Sequence, residues 1–271
     1  MTYTTLLVNV GTEGASDARI RLAEGLAAQF GAALVGMAAQ PVIVPVTYDG
    51  DATFTMELFA QEEDRVVKAL GNAERHFRSA LPTDIAAGTE WHSFREDAAG
   101  ALIREARSAD LIVLGVCGAA GVGDVLMAAG RPVLLVPASV GALRADSVVV
   151  AWRDTAQARR AVTDALPLLR RAQSVLVLEL LDRESASAQA DGAGVEAVVG
   201  LLKRHGVAAR GEARPVREAT VADGLIQAAR DEDADLIVAG GYGHARLREW
   251  AFGGVTRDLM TKCPLCCLMS H

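Results

Sequence analysis

Residues 109–115 read ADLIVLG, and residues 234–240 read ADLIVAG. Each is a short apolar run entered through Asp and left through Gly, with a further Gly three positions on, Gly118 and Gly243. The surrounding landmarks repeat too. Each half opens on an apolar run (5–10 and 147–152) and closes on a Pro-led one (132–136 and 264–268). Self-similarity that preserves the order of several landmarks marks a duplicated unit. The chain therefore reads as two copies of one fold.

Between the landmarks the hydrophobic period alternates. Residues 16–30 place Leu22, Ala23, Leu26, Ala27 and Phe30 on one helical stripe, and residues 155–171 do the same with Ala158, Ala161, Val162, Ala165, Leu168 and Leu169, with Pro167 expected to bend the helix. Further helices are predicted at 54–80, 96–108, 193–205, 218–231 and 254–262, and strands at 32–39, 85–92, 174–181, 208–214 and 235–239. Strands separated by helices imply βαβ units and parallel pairing. Runs such as Val175-Leu-Val-Leu178 are apolar throughout, as strands covered on both faces are. The expected class is α/β with two open, doubly wound sheets linked near 137–146. In such sheets ligands sit beyond the carboxyl ends of the strands, where the strand order reverses.

Composition narrows the function. Apolar residues make up 51%, enough for large cores, which excludes wholesale disorder. Lys plus Arg number 27 against 34 Asp plus Glu, a net charge of −7, and the lysines are Lys68, Lys203 and Lys262. That balance argues against nucleic-acid binding, which needs a concentrated basic surface. No apolar run approaches the roughly 20 residues of a membrane span, and the start of the chain lacks a signal-peptide pattern. A cytoplasmic protein without a membrane partner is expected.

After the second repeat the chain reads Gly240-Gly-Tyr242-Gly243-His244-Ala-Arg246-Leu-Arg248-Glu-Trp250-Ala-Phe-Gly253-Gly254-Val255-Thr256-Arg257, a G-x2-G-x9-G-G spacing between a strand and a helix. Glycines let main-chain N–H groups approach an anion without a Cβ in the way. A helix that opens on Gly253-Gly254 adds unpaired N–H groups and a positive end. His244, Arg246, Arg248 and Arg257 bring positive charge, while Tyr242 and Trp250 are expected to pack against loop or ligand. The same spacing also suits a plain strand-to-helix turn with a helix cap.

The loop, its Asp-Leu-Ile-Val-x-Gly strand and the Cys-Pro-led last strand together resemble the universal stress protein domain. The resemblance covers both halves, so the chain is similar to a tandem universal stress protein. It implies two Rossmann-like (adenine nucleotide alpha hydrolase-like) domains, each a five-stranded parallel sheet, with boundaries at 1–138 and 146–271. It implies pairing of the two through their last strands, is compatible with a homodimer, and suggests a role in the stress response. It also implies ATP or a related adenine nucleotide as ligand, with no metal beyond the Mg that accompanies a nucleotide. Carried over residue by residue, the phosphate positions are Gly240, Gly243, Gly253, Gly254 and Val255, and the adenosine positions are Ala151, Arg153 and Leu180.

Two positions depart from the family pattern. The Ser or Thr after the third loop glycine is Gly254 here, with Thr256 the next hydroxyl. The Asp that closes the first strand is Arg153, and Gly11 in the first half. Arg153 cannot accept a hydrogen bond from a ribose hydroxyl but can pair with a phosphate. The first half departs further. Gly115 and Pro132 lie 17 positions apart, against 24 from Gly240 to Pro264. Gly118-Ala-Ala-Gly121-Val-Gly123 stays glycine-rich, but the long arm is gone. The first half is expected to serve as a packing partner rather than a nucleotide site.

Other features read as structural. Cys263, Cys266 and Cys267 fall on the predicted last strand, so their side chains alternate between faces, a poor arrangement for a redox pair; Cys117 stands apart. Asp231-Glu-Asp-Ala-Asp235 reads as a solvated helix end, and Asp49-Gly-Asp51 lacks the rest of a calcium loop. His76, His92 and His205 have no ligand-type neighbour at helical spacing. No nucleophile with a base stands out, so no catalytic residue is assigned and any ATP hydrolysis should be slow. The alternatives to a nucleotide-binding regulator are a nucleotide-free interaction module and a slow hydrolase or binder of another phosphorylated ligand.

Overall fold

The computed structural model describes residues 2–12, 16–43, 52–86, 88–116, 121–181, 193–241 and 254–271. The first half runs β1 (Thr5–Asn9), α1 (Asp17–Phe30), β2 (Ala33–Ala39), α2 (Ala52–Ala80), α3 (Thr83–Ala86), β3 (Glu90–Phe94), α4 (Ala98–Glu105), a 3-10 turn at Ala106–Ser108, β4 (Leu111–Gly115), α5 (Val122–Ala128) and β5 (Val133–Val136). The second runs β6 (Ser147–Ala151), α6 (Ala156–Leu169), β7 (Ser174–Leu181), α7 (Ala193–Arg204), β8 (Ala209–Pro215), α8 (Val221–Asp231), β9 (Leu236–Gly240), α9 (Gly254–Lys262) and β10 (Cys266–Ser270).

The strands form one sheet in the order β3-β2-β1-β4-β5-β10-β9-β6-β7-β8. Within each half all neighbours are parallel, and the halves join where β5 and β10 run antiparallel, Leu134 opposite Leu268. The expected pairing through the last strands is therefore present, and it merges the two sheets into one. The central strands are buried on both faces. Leu6, Val8, Val148 and Val150 face α1, α2, α6 and α7; Leu7, Ile112, Val149 and Ile237 face α4, α5, α8 and α9. Gly36 in β2 makes room for the buried Phe77 of α2, whose ring lies 2.7 Å from where a Cβ would stand.

The duplicated Asp has a structural job in both halves. Asp110 accepts hydrogen bonds from Thr4 N (2.8 Å), Thr4 Oγ1 (2.6 Å) and Thr5 N (3.1 Å). Asp235 accepts from Arg144 N (3.1 Å) and Ala145 N (3.0 Å). Each carboxylate thus ties the start of the first strand to the start of the fourth. In the second half it also holds Ala145 at φ 52, a left-handed conformation that a non-glycine residue adopts at a cost.

Three sequence expectations are corrected. The strand predicted at 85–92 is β3, displaced toward the carboxyl end, and its expected start is the helical turn α3. The last strand starts at Cys266 rather than Pro264, so Cys263 precedes it. The helix predicted at 96–108 gives way to the 3-10 turn after Glu105. Pro167 lies in the last turn of α6, where the missing N–H costs one bond near an end that frays in any case. Among the described residues no helix is long and apolar enough to cross a membrane.

Candidate functional site

The order of strands reverses between β6 and β9, and a cleft opens there at their carboxyl ends. It is a shallow cleft of about 90 Å³, open to solvent. Five of the nine sequence-predicted residues line it: Ala151, Arg153, Leu180, Gly240 and Val255. They come from β6 and its exit, β7, β9 and α9. Gly254 is exposed at the start of α9, and Thr256 is buried in its first turn rather than on the cleft wall. Gly243 and Gly253, with Tyr242, His244, Arg246, Arg248 and Trp250, lie outside the described residues.

Local rules explain the wall. Strand alternation sends the side chain of Ala151 to the α8 face and that of Trp152 to the α6 face. Arg153 then leaves the strand exposed, and a turn closed by Thr155 N donating to Arg153 O (2.7 Å) starts α6. Thr155 caps that helix, its Oγ1 accepting from Ala158 N at 3.2 Å. Gly240 is required by close approach: a Cβ there would lie 2.5 Å from Ala158 N and 2.7 Å from Gln157 C. The apolar side is made by Leu178 and Leu180 from β7 and by Val221 and Leu225 from α8. Gly224 lets Leu180 settle against α8, since a Cβ at that position would meet Leu180 Cδ1 at 2.8 Å.

Sequence reasoning missed Trp152, Thr155, Leu178, Val221 and Leu225, all on the cleft. Trp152 is 6% exposed, and its indole N–H has no partner among the described residues. A buried unpaired donor is unusual. The signal that could have found it is position, since it directly follows Ala151 at the end of β6.

The cleft combines apolar side chains of Leu178, Leu180, Val221 and Leu225 with the exposed Arg153, the end of β9 at Gly240 and Val255 in the first turn of α9. That combination suits a ligand with one planar, weakly polar part and one anionic part.

The remaining candidates resolve as follows. Cys266 and Cys267 point to opposite faces of β10, as expected, but Cys263 packs on the same face as Cys267. The Cys267 thiol donates to Leu265 O at 3.8 Å; its closeness to Cys263 holds the Cys263 pKa below the usual thiol value, while burial pushes Cys266 up to about 12. His92 and His76 do have acidic neighbours, from distant parts of the chain: His92 Nδ1 lies 2.7 Å from Glu105 Oε2 and His76 Nε2 2.8 Å from Asp17 Oδ1. In the acidic run, Asp235 is the strand anchor and Glu232 pairs with Arg210. Among the described residues no group of three or more His, Cys, Asp or Glu forms a candidate metal site.

Comparison with known proteins bears on the fold. Residues 144–271 match the universal stress protein family. No curated protein sequence matches the chain. A universal stress protein from Archaeoglobus fulgidus shares the fold at 14% identity, with 97% of this chain and 95% of that chain covered and a TM-score of 0.66. A functionally unknown protein from Pseudomonas aeruginosa does so at 13% identity, with 99% and 92% covered and a TM-score of 0.59.

Proposed function

We propose that the chain is a tandem universal stress protein with domains at 1–138 and 146–271, and that the second domain binds ATP or a related adenine nucleotide in the cleft. The observation that carries the reading is convergence. Ala151, Arg153, Leu180, Gly240 and Val255 are spread over more than 100 positions, yet they meet on one cleft at the strand reversal. The adenine ring lies on Leu178, Leu180, Val221 and Leu225, where burial of its faces favours binding. The phosphates lie toward Gly240 and the amino end of α9, within reach of Arg153, with Mg accompanying the nucleotide rather than held by a protein site. Gly254 supplies no hydroxyl and Arg153 no acceptor for a ribose hydroxyl, so affinity is lower than the family pattern would give. Binding then acts on conformation or partner choice, since among the described residues no general base lines the cleft.

Isothermal titration with ATP, AMP and cyclic AMP tests this, together with mass spectrometry of whatever copurifies. Val255→Glu puts a negative charge on the half-buried cleft wall and should abolish binding while the protein still melts cooperatively. The reading fails if no adenine nucleotide binds the wild type, or if Val255→Glu binds as well as the wild type.

A further inference from the structure

A second recess lies on the flank of α1, between that helix and the linker that enters β6. It is open to solvent and has a volume of about 340 Å³, within the range of small-molecule pockets. No residue lines both this groove and the cleft at the carboxyl-end crest of the second half. Both walls are fixed. Arg21, Gly25 and Gln29 stand four apart on one face of α1. The linker is tied to the second half: Asp235 accepts from Arg144 N and Ala145 N, and Asp146 O accepts from Gln173 N (2.7 Å) and Ser174 N (3.1 Å). Leu22 and Leu143 are buried and give the groove an apolar floor.

Gly25 sets the opening. A glycine inside a helix costs about 1 kcal/mol relative to alanine. No close packing calls for it: among the described residues a Cβ there would meet nothing within 4 Å. The duplicated helix shows the alternative. Counted from the N-caps Ser16 and Thr155, Arg21 matches Arg160 and Gly25 matches Asp164. In α6 the Asp164 carboxylate accepts from Ser270 Oγ at 2.8 Å and Arg160 donates to His271 O, so the end of β10 occupies that face. In α1 the arginine is kept, the carboxylate is gone, and the groove stands in its place.

Arg21 and Arg144 bring two guanidinium groups to the groove, and Asp146, 2.7 Å from Arg144 Nη2, brings one carboxylate. One positive charge is left over. A guanidinium fork matches the two oxygens of a carboxylate. The carboxamide of Gln29 adds a neutral donor, and the two leucines suit a short apolar body. We propose that this groove binds a small organic monocarboxylate, its carboxylate on Arg21 and its body over Gly25 against Leu22 and Leu143. The arginines are exposed, which keeps the affinity low, about millimolar. The proposal does not rest on nucleotide binding in the cleft.

The test uses the full-length protein with butyrate and phenylacetate, and with phenylacetamide as the uncharged counterpart of the latter. Dissociation constants are read by ligand-observed NMR at constant ionic strength. Both carboxylates are expected to bind saturably. Phenylacetamide should bind about tenfold more weakly than phenylacetate, and Arg21→Gln should weaken phenylacetate by a similar factor, the value of one hydrogen-bonded charge. Gly25→Leu fills the groove and should abolish binding while the melting temperature stays level or rises, since a helical glycine is removed. Val255→Glu, which alters the cleft, should leave carboxylate binding unchanged. The proposal is overturned if neither carboxylate binds saturably at tens of millimolar, or if phenylacetamide matches phenylacetate. Binding that survives Gly25→Leu, or is lost in Val255→Glu, places the ligand elsewhere and overturns it too. Arg21→Gln, at an exposed position, decides if Gly25→Leu fails to fold.

Discussion

Gly254→Ser restores the hydroxyl that the family pattern places after the third loop glycine. Position 254 is exposed at the first turn of α9, and a Cβ added there meets nothing within 4 Å among the described residues. The substitution therefore introduces no clash, and its effect on binding can be read without a packing cost. A hydrogen bond from a hydroxyl to a charged phosphate contributes about 1.5–3 kcal/mol, which converts to roughly 10- to 100-fold tighter binding of ATP. The same change removes a glycine from a helix, which stabilises by up to about 1 kcal/mol by itself. Gly254→Ala separates the two effects. Both variants should raise the melting temperature slightly, but Ser alone should lower the Kd for ATP in isothermal titration. Adenosine, which lacks phosphate, should bind all three proteins equally. If Ser and Ala bind ATP alike, or if adenosine gains as much as ATP, the hydroxyl does not meet a phosphate and the assignment of the α9 end is wrong.

Three further perturbations probe the scaffold. Gly240→Ala drives a Cβ into the backbone of α6, 2.5 Å from Ala158 N; the overpacking should cost about 1–3 kcal/mol, or roughly 2–4 °C of melting temperature per kcal/mol, and an unchanged melt would show that the close approach is not real. At Asp110, burial pushes the carboxyl up, but the donors on Thr4 and Thr5 outweigh it and hold the pKa below the usual value. The stability this lends is present above the ordinary carboxylate range and lost as pH falls through the lowered pKa. Asp110→Ala should therefore destabilise by about 1 kcal/mol at neutral pH and converge with the wild type in acid urea melts; a pH-independent difference would contradict the anchoring role. Among the described cysteines, Cys263 should be alkylated before Cys266 and Cys267 in the native protein, as mapped by peptide mass spectrometry, and earlier labelling of either strand cysteine would contradict the direction of their shifts.

The central strands were legible because they are buried on both faces and so read as unbroken apolar runs; residues 174–181 are β7 to the residue. The bounds of β3 were not legible, because an edge strand of sequence Glu-Trp-His-Ser-Phe carries no such run, while Ile85-Ala86 just before it is apolar. The late start of β10 follows from its partner. It pairs with β9 up to Gly240, which carries the strand to Ser270, a buried polar residue whose hydroxyl donates to Asp164 at 2.8 Å. No hydrophobic pattern announces such a residue. In the site, residues tied to strand ends could be located by counting. Leu225 could not, because which face of α8 meets the cleft is decided by packing.

The repeat that exposed the fold is thus mostly about folding. The duplicated Asp anchors a strand start in each half, and the apolar runs beside it are core. Only Ala239 and Gly240, at the end of the second run, reach the cleft; the rest of the likeness is about folding. The positions that face the crest are the ones that differ: Ala151 against Asn9, Arg153 against Gly11, Ala158 against Arg19. The halves are nonetheless bound together at the site. Leu126 of α5 packs over Gly241, where a Cβ would lie 2.6 Å from Leu126 Cδ2, and Gly241 N donates to Ser270 O at the end of the seam strand. The residue that opens the glycine loop of the second half is therefore seated against the first half. The first half thereby helps set the geometry of the second, through Leu126 over Gly241 and the β5–β10 seam.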